Sequence, residues 1–315
     1  MKAVTQLYLF NKKLYKSGKT KTLFELENDK LLFFFTDKIT ANNILMKEGV
    51  PEKGKVQREL SKFWFEFLKE RKIVENHFLS QKLSGPKIQG LINYQDKSGN
   101  VFQDFLKNFP KEEIEQRLLI VKRVDRTIPL SFIVKGYLIG SQPSFVFPKV
   151  RKGGQFPSPL VEILVDGQNG KKEKADWRRA GNTLNEWKKV HNLNIAPYML
   201  PEYLVSKSLK IYKVCLEFAE EKGVIIAEAK FEFGFDKDGN LLLIDEVLTP
   251  DTARFWLKEA REEGRFREHY DKKFLLDWLE NIGVNEGLPP PKLPEELIKE
   301  LSQRYQEILK RLIAN

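Results

Sequence analysis

The 315-residue sequence predicts an α+β protein, with an antiparallel sheet domain over residues 1–125 and an α+β domain over residues 126–315 that ends in long helices. Three observations predict it. β-rich runs come in pairs around turn-forming residues: 22–27 and 30–36 flank Asn28-Asp29, and 224–235 and 240–247 flank Asp236-Lys237-Asp238-Gly239. Apolar residues recur at helical spacing in separate stretches, chiefly towards the C-terminus. Finally, 41% apolar and 12% aromatic residues supply enough material for a large core, which excludes wholesale disorder.

In chain order, the first hairpin gives the N-terminal domain an antiparallel start. After the Gly49–Gly54 loop, Leu60, Phe63, Trp64, Phe67 and Leu68 form one apolar face of a helix over 56–72, and so belong to a core rather than to a base-stacking platform. Residues 118–124 and 130–139 read as a second pair of strands around 125–129, completing the sheet domain. From Gln142 to Asn194 the chain is rich in Gly, Pro, Lys and Trp without clear periodicity, which predicts long loops able to cover a site. A helix then begins at Pro201, with Leu204, Ser208, Tyr212, Cys215 and Ala219 on one face and Gly223 placed to stop it. The strand pair around Gly239 follows, and helical patterns occupy 252–263, 272–281 and 295–313. The last packs through Leu297, Leu301, Ile308 and Leu312, after a proline-rich connector at 288–294.

The single cysteine, Cys215, excludes a disulfide framework and a cysteine metal cluster, and His77, His191 and His269 are too scattered for a zinc motif. A reducing, cytoplasmic setting is expected. The longest apolar runs, 31–35 and 241–244, fall far short of the roughly 20 residues a membrane helix needs, so no membrane partner is expected. The first residues lack the apolar core of a secretion signal. The formal charge of +10, from 54 Lys plus Arg against 44 Asp plus Glu, favours anionic partners. Lysines alternate with acids along 295–311 rather than forming a stripe, so no nucleic-acid partner is expected.

The densest chemistry lies at Glu228-Ala-Lys230-Phe-Glu232-Phe-Gly234 and Asp245-Glu246, followed by Asp251 and Arg254. The two-residue period of a strand puts Glu228, Lys230 and Glu232 on one face and buries Ala229, Phe231 and Phe233 on the other. Asp245 ends the partner strand, where the hairpin can bring it close to Glu232. Two carboxylates suit magnesium, which keeps waters and borrows substrate phosphates. The same alternation also describes a solvated strand face with cross-strand ion pairs, and Asp251 could simply cap a following helix. Ser17-Gly18-Lys19-Thr20-Lys21 places a flexible backbone and two lysines before a strand. That composition fits nucleotide phosphates, and it also fits an ordinary basic surface loop.

Several blocks, in order, resemble those of the SAICAR synthetase family: Asp37-Lys-Ile-Thr40-Ala41, Lys53-Gly54 leading into Ser61-Lys-Phe-Trp64, Lys135-Gly-Tyr-Leu-Ile-Gly140-Ser141, Lys230-Phe-Glu232-Phe-Gly234, Asp245-Glu246-Val-Leu-Thr-Pro-Asp251 and Tyr270-Asp271-Lys272. The resemblance covers most of the chain outside 142–194. It implies an ATP-grasp-like fold and an ATP-dependent ligase of purine biosynthesis that condenses an aminoimidazole carboxylate ribotide with L-aspartate through an acyl phosphate. Carried over, it assigns Lys19 and Lys21 to ATP phosphates and Glu232 with Asp245 to Mg2+. Lys230, Ser141 and Arg254 fall to the ribotide, Asp251 to organising that corner, and Thr40 to a substrate-facing loop. Asn43, Ser131 and Lys135 also occupy substrate-side positions, but with altered chemistry. The family usually carries an acid at 43, Glu at 131, Arg at 135, Asp at 228 and Arg at 276, where this sequence has Asn43, Ser131, Lys135, Glu228 and Leu276. A family His-Asp pair is absent from 153–177. The departures lie on the ribotide and amino-acid side. They keep two alternatives open: a relative using a different carboxylate or amine, and a nucleotide-binding relative without catalysis. Assembly as a homo-oligomer also stays open.

Overall fold

The computed structural model describes residues 3, 14–18, 20–80, 111–140, 146–167, 172–191, 199–265, 268–284 and 288–313. Two compact units emerge. One comprises Met1–Lys62, Phe78–Arg123 and Phe274–Leu309; the other comprises Phe63–His77, Val124–Lys273 and Lys310–Asn315.

In the first unit, β1 (Leu14–Ser17), β2 (Lys21–Leu26), β3 (Lys30–Phe35), β7 (Leu118–Lys122) and β6 (Phe78–Ser80) lie side by side in that order. The β2–β3 hairpin is the one expected, because Asn28 (φ 60°) and Asp29 (φ 53°) tolerate the two left-handed conformations that a tight hairpin turn demands. Strand β3 is interior and buries Leu31 to Phe35; on one face Leu31, Phe33 and Phe35 meet Leu119 and Val121. Beside this sheet stands the β4 (Lys38–Ala41)–β5 (Ile44–Gly49) hairpin. One expectation is corrected here: residues 118–122 and the following strand are not partners. Strand β7 pairs with β3 and β6, whereas β8 (Arg126–Tyr137) joins a different sheet. The short link at 125–129 resembles a hairpin turn, but the unpaired edge of β3 claims β7.

Helix α1 (Lys53–Glu70) starts where Asp37 Oδ1 accepts the Gly54 amide at 2.8 Å and the Arg117 guanidinium at 2.6 Å. A Cβ at Gly54 would stand 2.3 Å from the Phe35 carbonyl oxygen, so glycine is required for this close approach.

The second unit is built on a six-stranded antiparallel sheet, ordered β10 (Lys172–Ala175), β9 (Gln155–Asp166), β8, β11 (Val224–Phe235) and β12 (Leu241–Ile244). The sixth strand, β13 (Ala253–Leu257), shares the β12 side of β11 but pairs further towards its start. Two expectations fail. The supposed loops of 142–194 contain β9, β10 and a helix, α3 (Trp177–His191), after the short α2 (Lys111–Glu115) of the first unit. Pro157 and Pro159 hide β9 from a propensity reading, yet they lie in an exposed irregular stretch between Gln155, which pairs with Tyr137, and the regular pairing from Leu160 onwards. Likewise 252–263 is not one helix. Ala253–Leu257 pairs with β11, and helix α5 (Lys258–Glu262) begins only after it; the apolar run Phe255-Trp-Leu was ambiguous, and the open edge of β11 decides it.

Helix α4 (Met199–Glu221) packs as its pattern predicts, with Leu204, Ser208, Tyr212, Cys215 and Ala219 buried and Gly223 at φ 72° beyond its end. Tyr212 donates its hydroxyl to the Ile226 carbonyl at 2.6 Å, and a Cβ at Gly136 would meet that hydroxyl at 2.1 Å. This helix therefore fixes the rear of β11 and β8, leaving the other face for polar side chains. Helices α6 (Lys273–Asn281) and α7 (Glu295–Ile313) complete the chain.

Candidate active site

Strand β11 is the spine of the site. Its burial alternates as expected: Ala229, Phe231 and Phe233 are buried, while Glu228, Lys230 and Glu232 stand half-buried on the opposite face. β8 lies against β11 with Ser131 opposite Glu232 and Lys135 opposite Glu228. Ser131 donates to Glu232 Oε1 at 2.7 Å, and Lys230 reaches the same oxygen at 3.1 Å. Lys172 approaches it at 3.7 Å while pairing with Asp166 at 2.8 Å. Lys135 pairs with Glu162 at 2.9 Å and Glu228 at 3.7 Å, and Lys174 holds the other oxygen of Glu162 at 2.9 Å.

Asp245 follows β12 directly, where Ile244 is the register partner of Glu232. Its backbone is left-handed (φ 68°), as is that of the buried Leu248 (φ 51°), and its carbonyl oxygen lies 3.1 Å from His77 Nε2. This bend turns the chain out of the sheet. It returns through Thr249 and Thr252, whose carbonyl accepts the Lys230 amide at 2.8 Å. Thr249 also donates to the buried Glu246 at 2.9 Å.

These charges perturb one another. Burial alone would raise the Glu232 carboxyl, and like-charged Asp245 pushes the same way, but Lys230, Lys172 and the Ser131 hydroxyl hold it below its usual range. Burial alone would lower Lys230, yet Glu232, Asp245 and Glu246 hold it above its ordinary value, so it stays an ammonium. Such a cluster, with two like charges near each other and a half-buried cation on the same strand face, is typical of a site built for a charged ligand.

Arg254 sits on β13, opposite Glu228, and not on a helix as the sequence suggested. Its Nε lies 3.7 Å from Asp271, and its Nη1 donates to the Ala253 carbonyl at 2.9 Å. Asp271 is fully buried and accepts the amides of Phe255 and Lys273, both at 2.7 Å. Burial pushes its carboxyl up to about 6 despite the nearby Arg254 charge. Asp251 occupies the turn before β13, its amide 3.3 Å from Thr249 Oγ1, and caps no helix.

The remaining predicted positions belong to the first unit or fall outside the described residues. Lys21, on β2, carries its ammonium over the rings of Phe33 and Phe35, 5.2 and 5.7 Å from their centres. Thr40 lies on β4, and Asn43 (φ 59°) sits in the β4–β5 turn, where an asparagine suits the left-handed backbone. Lys19 and Ser141 lie outside the described residues. The sequence reading gave no role to Lys172, Glu162, Glu246, His77 or Asp271. Lys172 and Glu162 were hidden because their strands were read as loops, although the Lys172-Glu173-Lys174 alternation was visible. Asp271 appeared only within a family block.

Among the described residues no group of three or more His, Cys, Asp or Glu side chains could hold a metal. A pair of carboxylates such as Glu232 and Asp245 nevertheless fits magnesium, which commonly takes one or two protein carboxylates and completes its shell with water and phosphate oxygens.

A family model described as SAICAR synthetase matches residues 14–291. The chain belongs to the SAICAR synthetase family. It is therefore an enzyme, an ATP-dependent ligase that forms carbon–nitrogen bonds. The phosphoribosylaminoimidazole-succinocarboxamide synthase of Pasteurella multocida is 33% identical over 97% of this chain and 98% of its own length. That of Haemophilus influenzae is 34% identical over 95% of each. The SAICAR synthase of Saccharomyces cerevisiae, solved in complex with SAICAR, superposes with a TM-score of 0.72 at 28% identity and covers 99% of this chain and 98% of its own. The mixed α/β architecture with antiparallel sheets is thus that of SAICAR synthetases. Among the described residues no helix is long and apolar enough to cross a membrane.

Proposed function

We propose that this ligase makes SAICAR, joining the carboxylate of an aminoimidazole carboxylate ribotide to the amine of L-aspartate, with an ATP-grasp-like mode of nucleotide use. The observation that carries the reading is the convergence of Ser131, Lys172 and Lys230 on one oxygen of Glu232, next to the like-charged Asp245. A carboxylate is a poor acyl donor because its oxide is a poor leaving group. Phosphoryl transfer from ATP converts it to an acyl phosphate, which the aspartate amine attacks, forming the amide and releasing phosphate.

In this reading the protein positions the reactants and neutralises charge. Glu232 and Asp245 hold Mg2+, which when bound offsets the charge of the transferred phosphoryl group. Lys19 and Lys21 grip ATP phosphates. Lys230, kept charged by its carboxylate neighbours, and Arg254, on the adjacent strand, hold the ribotide phosphate together with Ser141. Asp251 orders the turn beside them, and Thr40, Asn43 and Lys135 belong to the substrate side. The comparisons do not favour a different substrate pair or a loss of catalysis. The test is ADP release and product mass with Mg-ATP, the carboxylate ribotide and L-aspartate. ADP release that needs both substrates, with a product of SAICAR mass, is expected; its absence with this pair would overturn the reading.

A further inference from the structure

Two hydrogen bonds, from Ser131 and Lys230, and the approach of a second cation, Lys172, fall on Oε1 of Glu232, and among the described residues none falls on Oε2. The three are not equivalent. Lys230 and Lys172 end in ammonium groups on long flexible stems, which attract a carboxylate without fixing its rotation. Ser131 is different: it is fully buried in the interior of β8, directly across from Glu232, and its hydroxyl sits on a single rotatable bond from a strand held on both sides. A glutamate carboxylate has a broad terminal torsion, and its two oxygens are chemically alike. One short, directional bond from a fixed donor breaks that symmetry.

We propose that Ser131 is a positioning residue: its hydroxyl anchors Oε1 of Glu232 and so presents Oε2 to the bound divalent cation. This rests on reading Glu232 and Asp245 as the metal ligands. Partners that orient a metal ligand from behind commonly change metal affinity by about tenfold or more when removed. The alanine variant removes only a hydroxyl, so the packing of β8 against β11 should survive.

The experiment measures Mn2+ binding to the full chain by water-proton relaxation, with a non-hydrolysable ATP analogue present, alongside thermal melting. Glu232→Gln should weaken Mn2+ strongly. Ser131→Ala should weaken it about tenfold with little change in melting temperature, and Ser131→Thr, which restores the hydroxyl, should recover it. If Glu232→Gln weakens Mn2+ but Ser131→Ala binds like the parent, the positioning role is overturned and the metal reading stands. If Glu232→Gln leaves Mn2+ binding unchanged, both are overturned. A loss in Ser131→Ala that Ser131→Thr does not recover reflects packing, and likewise overturns the proposal.

Discussion

Asp37, buried in the first unit, and Glu232, half-buried in the second, are both carboxylates on strand-rich scaffolds, yet their surroundings obey different rules. Asp37 faces the Arg117 fork through two hydrogen bonds, of 2.6 and 3.1 Å, while the same oxygen takes the Gly54 amide. Nη2 of Arg117, which bonds Asp37 Oδ2, also donates to Glu113 at 2.9 Å, and Glu113 pairs with Lys55 at 2.6 Å. Charges alternate along that chain, and planar groups meet edge to edge. Around Glu232 the geometry is lopsided: donors crowd one oxygen, and a second acid, Asp245, raises its electrostatic cost. An alternating cluster is its own neutralising partner and serves the fold. A cluster that keeps two like charges together, even with Lys230 and Lys172 beside them, carries repulsion that the fold does not need, as sites for charged ligands commonly do.

The contrast is sharpest in what breaks each cluster. Arg117→Met takes both guanidinium hydrogen bonds away from the buried Asp37, and should destabilise the protein by about 3–5 kcal/mol, read from urea unfolding. A smaller loss would mean that the pair is not the closed structural device described here. Asp271 lies between the two extremes: it is fully buried, but its cation is 3.7 Å away. Its folded value near 6 stands above its usual 3.8, so the unfolded chain loses the proton first as pH rises. The stability it contributes is complete below about pH 4 and is lost as pH climbs through about 6, by as much as about 3 kcal/mol. Asp271→Asn should remove that slope between pH 4 and 6 in denaturant titrations; an unchanged slope would place the titrating group elsewhere.

Asp245→Asn should show the opposite balance to Arg117→Met, with turnover falling on the order of a hundredfold and melting temperature nearly unchanged. Equal damage to folding and turnover would erase the distinction between the clusters. The smallest effect is expected from Arg254→Ala: if Arg254 holds the ribotide phosphate as proposed, the apparent KM for the ribotide should rise about tenfold with that for ATP little altered, the loss of one charge-assisted contact. Parallel increases in both constants would show that Arg254 does not separate the two substrates.

The sequence was most legible where local rules decide structure. The Asn28-Asp29 hairpin, the apolar face of α4 and the alternation on β11 all follow from turn chemistry and periodicity, and each is present as read. The charged face of β11 and its proximity to Asp245 were legible for the same reason. What failed depended on distant partners. Leu118–Lys122 had two strands available, and the choice of β3 over β8 is made by a sheet edge far away in sequence. Ala253–Leu257 became a strand because β11 had an open edge, although its own residues suited a helix. Lys172 and Glu162 could enter the picture only once β9 and β10 were seen to extend the sheet towards the charged face. The buried Asp37–Arg117 pair was invisible because its members lie 80 residues apart.

The left-handed backbone at Asp245 and Leu248 has a consequence for how such a protein evolves. An L-residue held there costs up to about 1–2 kcal/mol, less for aspartate than for leucine, and glycine would be relieved of that cost. Leu248 offsets it by burying its side chain completely, whereas the carboxylate at 245 sets a like charge near Glu232. Thermal selection by itself would therefore erode this corner before it touched the apolar core. Where the bend and its aspartate persist in a lineage, they record continued selection for what the carboxylate does.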